Sequence, residues 1–193
     1  MPSATAGPGL AGTMVAAGLT VLLAACGPGD PPESGTTEAA RAEAATLPAA
    51  YRPSASERQA ILAPLQTLFD ALEAGDGEML RSVVAPGTPL SFAESTDGES
   101  EVRTTTLDDL ADNVASSPVT LVERMWDPVV LVHGPLAQVW TPYDFYRGDE
   151  LSHCGIDAAT LLRDEDGWTI VGLSWTRDQP PQCALHPEGP PAQ

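Results

Sequence analysis

The chain has 193 residues and a formal net charge of −18, and its nine basic residues are all arginines. So acidic a protein has no basic surface with which to neutralise phosphates, which argues against nucleic-acid binding. The length suffices for one domain with an extension at each end.

An apolar run occupies residues 10–25 and leads into the sequence LAAC, residues 23–26. The run is shorter than the about 20 residues that a membrane span needs, and its length is typical of a signal-peptide core. LAAC resembles the bacterial lipobox, in which a peptidase cuts before the cysteine and the cysteine sulfur carries the lipid. We therefore predict a signal peptide over residues 1–25 and lipidation at Cys26. Because residues 1–9 lack Lys and Arg, a non-lipidated signal or a short buried helix is the alternative.

Two segments have the composition of unfolded chain. Residues 26–56 are rich in Pro, Gly, Ala, Thr and Glu and contain few bulky apolar side chains. Such a segment buries too little surface to offset the entropy lost on ordering, so we predict a disordered tether. Residues 179–193 form a Pro-rich C-terminal tail. The folded domain is therefore predicted over residues 57–178.

Three helices are predicted in the first half of this domain. Between Ile61 and Leu72 apolar residues recur every three or four positions, which indicates a helix that starts near Ser56 and ends at Gly75. A second, short helix follows and ends before residue 86. A third is expected after Thr106, which is a suitable N-cap residue.

Strands are predicted in the remainder. Two short strands flank a turn at residues 95–98, and a long strand over residues 119–134 is expected to be bulged near Asp127. The last three strands form an antiparallel meander, because Gly148 with Asp149 suits a two-residue hairpin and residues 164–167 form a second turn.

The order of these elements, and several short motifs, resemble a known superfamily. The strands contain WTPY (residues 140–143), HCG (residues 153–155) and GWTI (residues 167–170), and the last strand ends in TR. This pattern is similar to the bacterial lumazine-binding-like branch of the nuclear transport factor 2-like superfamily. The resemblance implies a cone-shaped α+β fold, in which three N-terminal helices pack on a curved antiparallel sheet and enclose a pocket. The superfamily includes ketosteroid isomerases, polyketide cyclases, dehydratases and non-catalytic ligand binders, so the fold alone does not choose a function.

The hairpin turns predict which side chains share a face of the sheet. If the strands pair without irregularity, Asp144 faces His153, and Asp157 lies between Trp140 and Ser174. The predicted pocket face then consists of Trp140, Asp144, Tyr146, His153, Asp157 and Ser174. The predicted outer face carries three aromatic residues that could form a homodimer interface, Tyr143, Phe145 and Trp175.

The reactive side chains near residue 153 do not predict a metal site. His153 and Cys154 are adjacent and point to opposite faces of the strand, and His153 and Asp157 lie roughly 13 Å apart along it. We therefore expect neither a metal nor a cofactor. Export would place Cys154 and Cys183 in an oxidising compartment, where they form a disulfide or, alternatively, remain free thiols.

Two functions fit these sequence features. The first is a lipid-anchored protein of the bacterial cell envelope, on its periplasmic or outer-surface side, whose pocket binds a small, partly apolar ligand or a protein partner without catalysis. The second is an isomerase, cyclase or dehydratase that uses Asp157 as general base, with His153 or Tyr143 assisting. No second carboxylate is expected beside Asp157, which favours the binding function.

Overall fold

The computed structural model describes residues 48–96 and 99–192. The predicted signal peptide, Cys26 and most of the tether lie outside these residues. Within the described part of the chain, no helix is both long and apolar enough to cross a membrane. The described part is an α+β domain of three α-helices and a seven-stranded sheet, preceded by a short 3-10 turn at Ala49–Tyr51.

The three helices begin at polar residues that cap them. Helix α1 spans Ala55–Ala74, helix α2 spans Gly77–Val83 and helix α3 spans Leu107–Ala115. The Ser54 hydroxyl accepts a hydrogen bond from the Glu57 backbone N–H at 3.2 Å, so α1 starts two residues before the predicted cap at Ser56. Gly75 ends α1 with φ of 67°, a left-handed conformation that glycine adopts without strain. The predicted cap of α3 is confirmed, because Thr106 accepts from the Asp109 N–H at 3.0 Å.

The strands form one mixed sheet. Their bounds are β1 Leu90–Thr96, β2 Glu99–Thr105, β3 Leu121–Met125, β4 Val129–His133, β5 Leu136–Arg147, β6 Glu150–Arg163 and β7 Trp168–Arg177. The order is β2-β1-β7-β6-β5-β3, and β4 also pairs with β5. Because β1 pairs with β7 in parallel, the prediction of a purely antiparallel sheet is wrong. Only adjacent strands joined by tight turns must be antiparallel, and β1 is separated from β7 by most of the domain.

The long strand predicted over residues 119–134 is two strands. Asp127 has φ of 46°, a left-handed conformation that interrupts the extended chain between β3 and β4. Both strands nevertheless pair with β5, β4 with its first half and β3 with its second half. The two strands therefore pair with β5 one after the other, although the chain is interrupted between them.

Two bulges in the meander change which side chains share a face. Between Phe145 and Tyr146 the pairing of β5 with β6 shifts by one residue, so His153 pairs with Phe145 and not with Asp144. A second shift, between Thr160 and Leu161, pairs Asp157 with Trp175 and not with Ser174. Because side chains alternate across a strand, a shift of one residue moves each partner to the opposite face.

The core lies between α1 and the concave face of the sheet. Ile61 and Leu65 of α1 are at most 1% exposed, as are Leu161 and Ile170 on the sheet. The burial of these side chains stabilises the domain by roughly 2 kcal/mol each. Helix α1 therefore covers the part of the sheet where the end of β6 lies beside the start of β7.

The C-terminal residues are tied to the sheet. Cys183 forms a disulfide with Cys154 of β6, with their Cα atoms 5.8 Å apart. Further along, the His186 N–H donates to the Asp144 carboxylate at 3.0 Å, and the His186 ring lies edge-on to Trp126 at 5.4 Å. These contacts hold the C-terminal tail against the sheet.

Candidate functional site

A cavity of about 390 Å³ lies between the helices and the sheet. Its helical wall is mostly apolar, with Leu68 and Leu72 of α1 and Leu110 and Val114 of α3, and Asn113 of α3 adds a polar group. The sheet supplies aromatic and ionisable side chains, namely Glu123, Phe145, Arg147, His153, Asp157, Trp175 and Arg177. An apolar wall that faces a few convergent polar groups is typical of a small-molecule site.

Asp157 lies on β6 at the base of this cavity. It is 4% exposed, and its Oδ2 atom is buried without a hydrogen-bond partner. Burial raises the pKa of the Asp157 carboxyl to about 7, and a hydrogen bond with Glu123 opposes this rise. Asp157 therefore exchanges its proton near neutral pH.

Glu123 on β3 is the second acid of the site. It pairs across the sheet with Phe145, and its side chain hydrogen-bonds to Asp157. Burial raises its pKa well above the ordinary range, and the nearby Asp157 carboxylate raises it further, while Arg177 lowers it. Two carboxyls in hydrogen-bond contact cannot both be ionised at low cost, so the pair shares one proton at neutral pH.

The expectation that no carboxylate accompanies Asp157 is therefore wrong. Glu123 and Asp157 are 34 positions apart in the sequence (157 − 123), on strands that are both neighbours of β5. One signal in the sequence could have identified Glu123, because a carboxylate in the middle of a strand is disfavoured unless a specific contact compensates.

His153 is a neutral ring on the wall of the same cavity. It is 7% exposed and lies between the rings of Phe145 at 4.9 Å and Tyr143 at 5.7 Å. Burial and, to a smaller extent, the positive charge of Arg177 lower the pKa of His153 to about 4. Its Nδ1 is 3.0 Å from the Ser152 hydroxyl. At neutral pH His153 is thus an uncharged hydrogen-bonding group.

Arg177 brings a positive charge to the cavity. Its guanidinium lies 4.5 Å from the centre of the Phe92 ring, and its Nε is buried with no hydrogen-bond partner. Within residues 48–96 and 99–192 no carboxylate forms an ion pair with it. Glu94, its neighbour on β1, is 3.9 Å from Arg103 instead.

Four of the six predicted pocket residues lie elsewhere. Trp140 is 57% exposed on the outer face, and the Ser174 hydroxyl contacts the Ser91 hydroxyl there at 2.9 Å. Asp144 is fully buried in an ion pair with Arg124, with distances of 3.0 and 2.7 Å, and not in a pair with His153. The bulges account for these differences, since each extra residue, Ser152 in β6 and Val171 in β7, moves the side chains beyond it to the opposite face.

Tyr146 is the fourth predicted pocket residue that does not line the cavity. It is 4% exposed, and the centre of the Arg124 guanidinium lies 5.5 Å from its ring. Only His153 and Asp157 of the predicted set line the cavity.

The aromatic residues assigned to an outer dimer face point inward. Phe145 and Trp175 line the cavity. Tyr143 is 1% exposed, and its hydroxyl donates to the Thr176 carbonyl at 2.6 Å. The assignment of these three side chains to the outer face is therefore wrong, and a homodimer of the chain stays a prediction. The same hydrogen bond occupies the Tyr143 hydroxyl, which was a candidate assistant to Asp157.

The fold matches solved structures of low sequence identity. A nuclear transport factor 2-like protein with a cystatin-like fold from Novosphingobium aromaticivorans is 14% identical with a TM-score of 0.51, covering 76% of this chain and 92% of that one. A function-unknown protein from Mycobacterium tuberculosis is 17% identical with a TM-score of 0.53, covering 65% and 74%. A nuclear transport factor 2-like protein from Cytophaga hutchinsonii is 17% identical with a TM-score of 0.51, covering 62% and 97%.

No protein-family model and no curated protein matches the sequence. The similarity to these structures establishes the nuclear transport factor 2-like fold, and at such identities it says nothing of the activity.

Proposed function

We propose that this protein is a lipid-anchored domain of the bacterial cell envelope that binds a small, partly apolar ligand in its concave cavity. The observation that carries the proposal is the cavity of about 390 Å³, with a mostly apolar helical wall on one side and ionisable groups on the other. Small-molecule sites combine these features, because the apolar wall supplies affinity and a few polar groups fix the orientation of the ligand. The lipobox-like sequence that ends at Cys26 supports the anchor.

Native mass spectrometry of the purified protein tests the binding function. We expect a co-purified small molecule with wild type and its loss in Leu110→Trp, because the larger side chain fills the cavity that Leu110 lines. Leu162→Trp is the matched control, since Leu162 is 47% exposed and does not line the cavity. A wild type without bound ligand, or a ligand retained by Leu110→Trp, contradicts the proposal.

General acid–base catalysis is a second candidate, and the contact between Glu123 and Asp157 favours it. The pair provides an acid and a base side by side, with the pKa of Asp157 near 7, where proton transfer in both directions is efficient. An isomerase, cyclase or dehydratase that used Asp157 as base would lose turnover in Asp157→Asn and keep its fold. The measurement is turnover of a panel of enolisable ketones by wild type and mutant. Absence of wild-type turnover across the panel counts against this candidate.

A further inference from the structure

Among the residues that the structure describes, Arg177 has no ion-pair partner, although the protein is strongly acidic. The buried Nε donor is left without an acceptor, and the contact with the face of Phe92 satisfies none of the guanidinium N–H groups. Arg177 as a whole is half-buried, but its Nε–H is removed from water without an acceptor, which is unfavourable unless a ligand supplies one. This is the feature from which we infer the chemical class of the ligand.

The nearby carboxylates are engaged elsewhere. Glu123 and Asp157 hydrogen-bond to each other, and Glu94 lies 3.9 Å from Arg103. None of the three forms an ion pair with Arg177, although Glu94 and Asp157 lie on the two strands next to it. The arrangement therefore separates a positive group from its negative neighbours inside a cavity, and such a separation is stable when a bound anion completes it.

We propose that the cavity binds a small monocarboxylate with an apolar body, whose carboxylate pairs with Arg177. The inference rests on the proposed binding function and names its ligand class. A guanidinium presents its donors in a planar fork that matches a carboxylate with two parallel hydrogen bonds. The apolar body would lie along Leu68, Leu72, Leu110 and Val114 on the opposite wall.

Other ligand classes fit the same cavity less well. A cationic ligand would be repelled by the positive charge of Arg177. A bare inorganic anion has no apolar atoms to cover the apolar wall. A dianionic phosphate ester would be repelled by the Glu123–Asp157 pair, which carries about one negative charge when it shares one proton. A monocarboxylate adds a single charge at the guanidinium and fills the remaining volume with apolar atoms.

Titration calorimetry with matched ligand pairs tests the inference. The probes are straight-chain and phenyl-substituted monocarboxylates of four to ten carbons, each paired with its primary amide, which has the same shape and no charge. They are titrated into the full chain carrying Cys26→Ser. We expect at least one carboxylate to bind wild type about tenfold or more tightly than its amide, since charge-assisted bonds to Arg are about twice as strong as neutral ones.

Variants then assign the preference to Arg177. Arg177→Gln should bring the carboxylate-to-amide ratio close to one and change amide binding less than about twofold. Arg177→Lys keeps the charge but loses the fork, so it should lower the ratio without removing it; it also serves if the Gln variant does not fold. Glu94→Gln is the matched control and should leave the ratio unchanged. A ratio unaffected by either Arg177 variant overturns the inference, and so does a ratio lost in Glu94→Gln.

The outcomes separate this inference from the binding function on which it rests. Binding of amides as tight as that of carboxylates overturns the inference and leaves the cavity as a ligand site. Binding of no probe overturns the monocarboxylate class, and the cavity is then judged by whether a co-purified molecule is lost in Leu110→Trp.

Discussion

Replacing Asp157 by Asn should stabilise the domain at alkaline pH. The folded-state pKa of Asp157 is about 7, above its ordinary value of 3.8. A group with a raised folded-state pKa contributes its stability fully below the unfolded-state pKa, and that stability is lost as the pH rises through the folded-state pKa. The buried carboxyl therefore lowers the free energy of unfolding progressively between about pH 4 and pH 8. The Asn side chain has nearly the same shape and no titratable proton, so this loss of stability should be absent from the mutant.

The size of the effect follows from the pKa difference. A difference of about three units corresponds to roughly 4 kcal/mol, since each unit is about 1.4 kcal/mol. Because the proton is shared with Glu123 and an amide satisfies the buried position only in part, we expect Asp157→Asn to gain about 2 kcal/mol at pH 8. In a domain of this size that gain raises the melting temperature by roughly 4 to 8 °C. At pH 4 the difference between the two proteins should approach zero.

Thermal unfolding followed by circular dichroism between pH 4 and pH 8 provides the measurement. The exposed turn residue Asp149 supplies the control, because Asp149→Asn removes the same charge from the surface. We expect that variant to stay within about 0.5 kcal/mol of wild type at every pH. An Asp157→Asn protein no more stable than wild type at pH 8 would refute the assignment of a raised pKa. A gain of equal size at pH 4 would show that its origin is not the carboxyl proton.

Three further outcomes test other parts of the molecule. Cys26→Ser expressed in a bacterial host should lose membrane association in cell fractionation, and a mutant that still fractionates with membranes would disprove the lipobox interpretation. Cys183→Ser should lower the free energy of unfolding by roughly 3 kcal/mol under oxidising conditions and by little under reducing ones, because the Cys154 disulfide restricts the unfolded chain; two alkylatable thiols in unreduced exported protein would contradict this. Arg124→Gln should lower the free energy of unfolding by about 3 kcal/mol in urea titration, since it leaves Asp144 buried without its cation; an effect below about 1 kcal/mol would indicate that the His186 N–H and solvent suffice.

The starts and ends of the helices can be predicted from the sequence of this protein. Helix α3 begins after Thr106 because a hydroxyl at that position accepts an N–H from the first turn, and α1 ends at Gly75 because a left-handed conformation there favours glycine. These effects act over three or four residues, so no knowledge of the rest of the chain is needed. The order of the elements then suffices to indicate the fold.

The composition of the site depends on longer-range structure. Whether a strand residue faces the cavity or the solvent is set by a pairing of period two, so one extra residue in a bulge exchanges the faces. That is why Trp140 and Ser174 lie outside and Phe145 and Trp175 lie inside, opposite to the regular pairing. Nothing within a few residues of Phe145 indicates that the pairing shifts there.

Sequence alone determined the helices, the turns of the meander and the resemblance that indicates the fold, because caps, turns and apolar periodicity act between near neighbours. Only the tertiary structure decided that Glu123 contacts Asp157 and that Arg177 has no ion-pair partner within residues 48–96 and 99–192. These three residues come from β3, β6 and β7, and their contacts depend on strand order and bulge positions. A pKa near 7 and an unpaired guanidinium arise from burial and from distances across the sheet, which are properties of the folded chain.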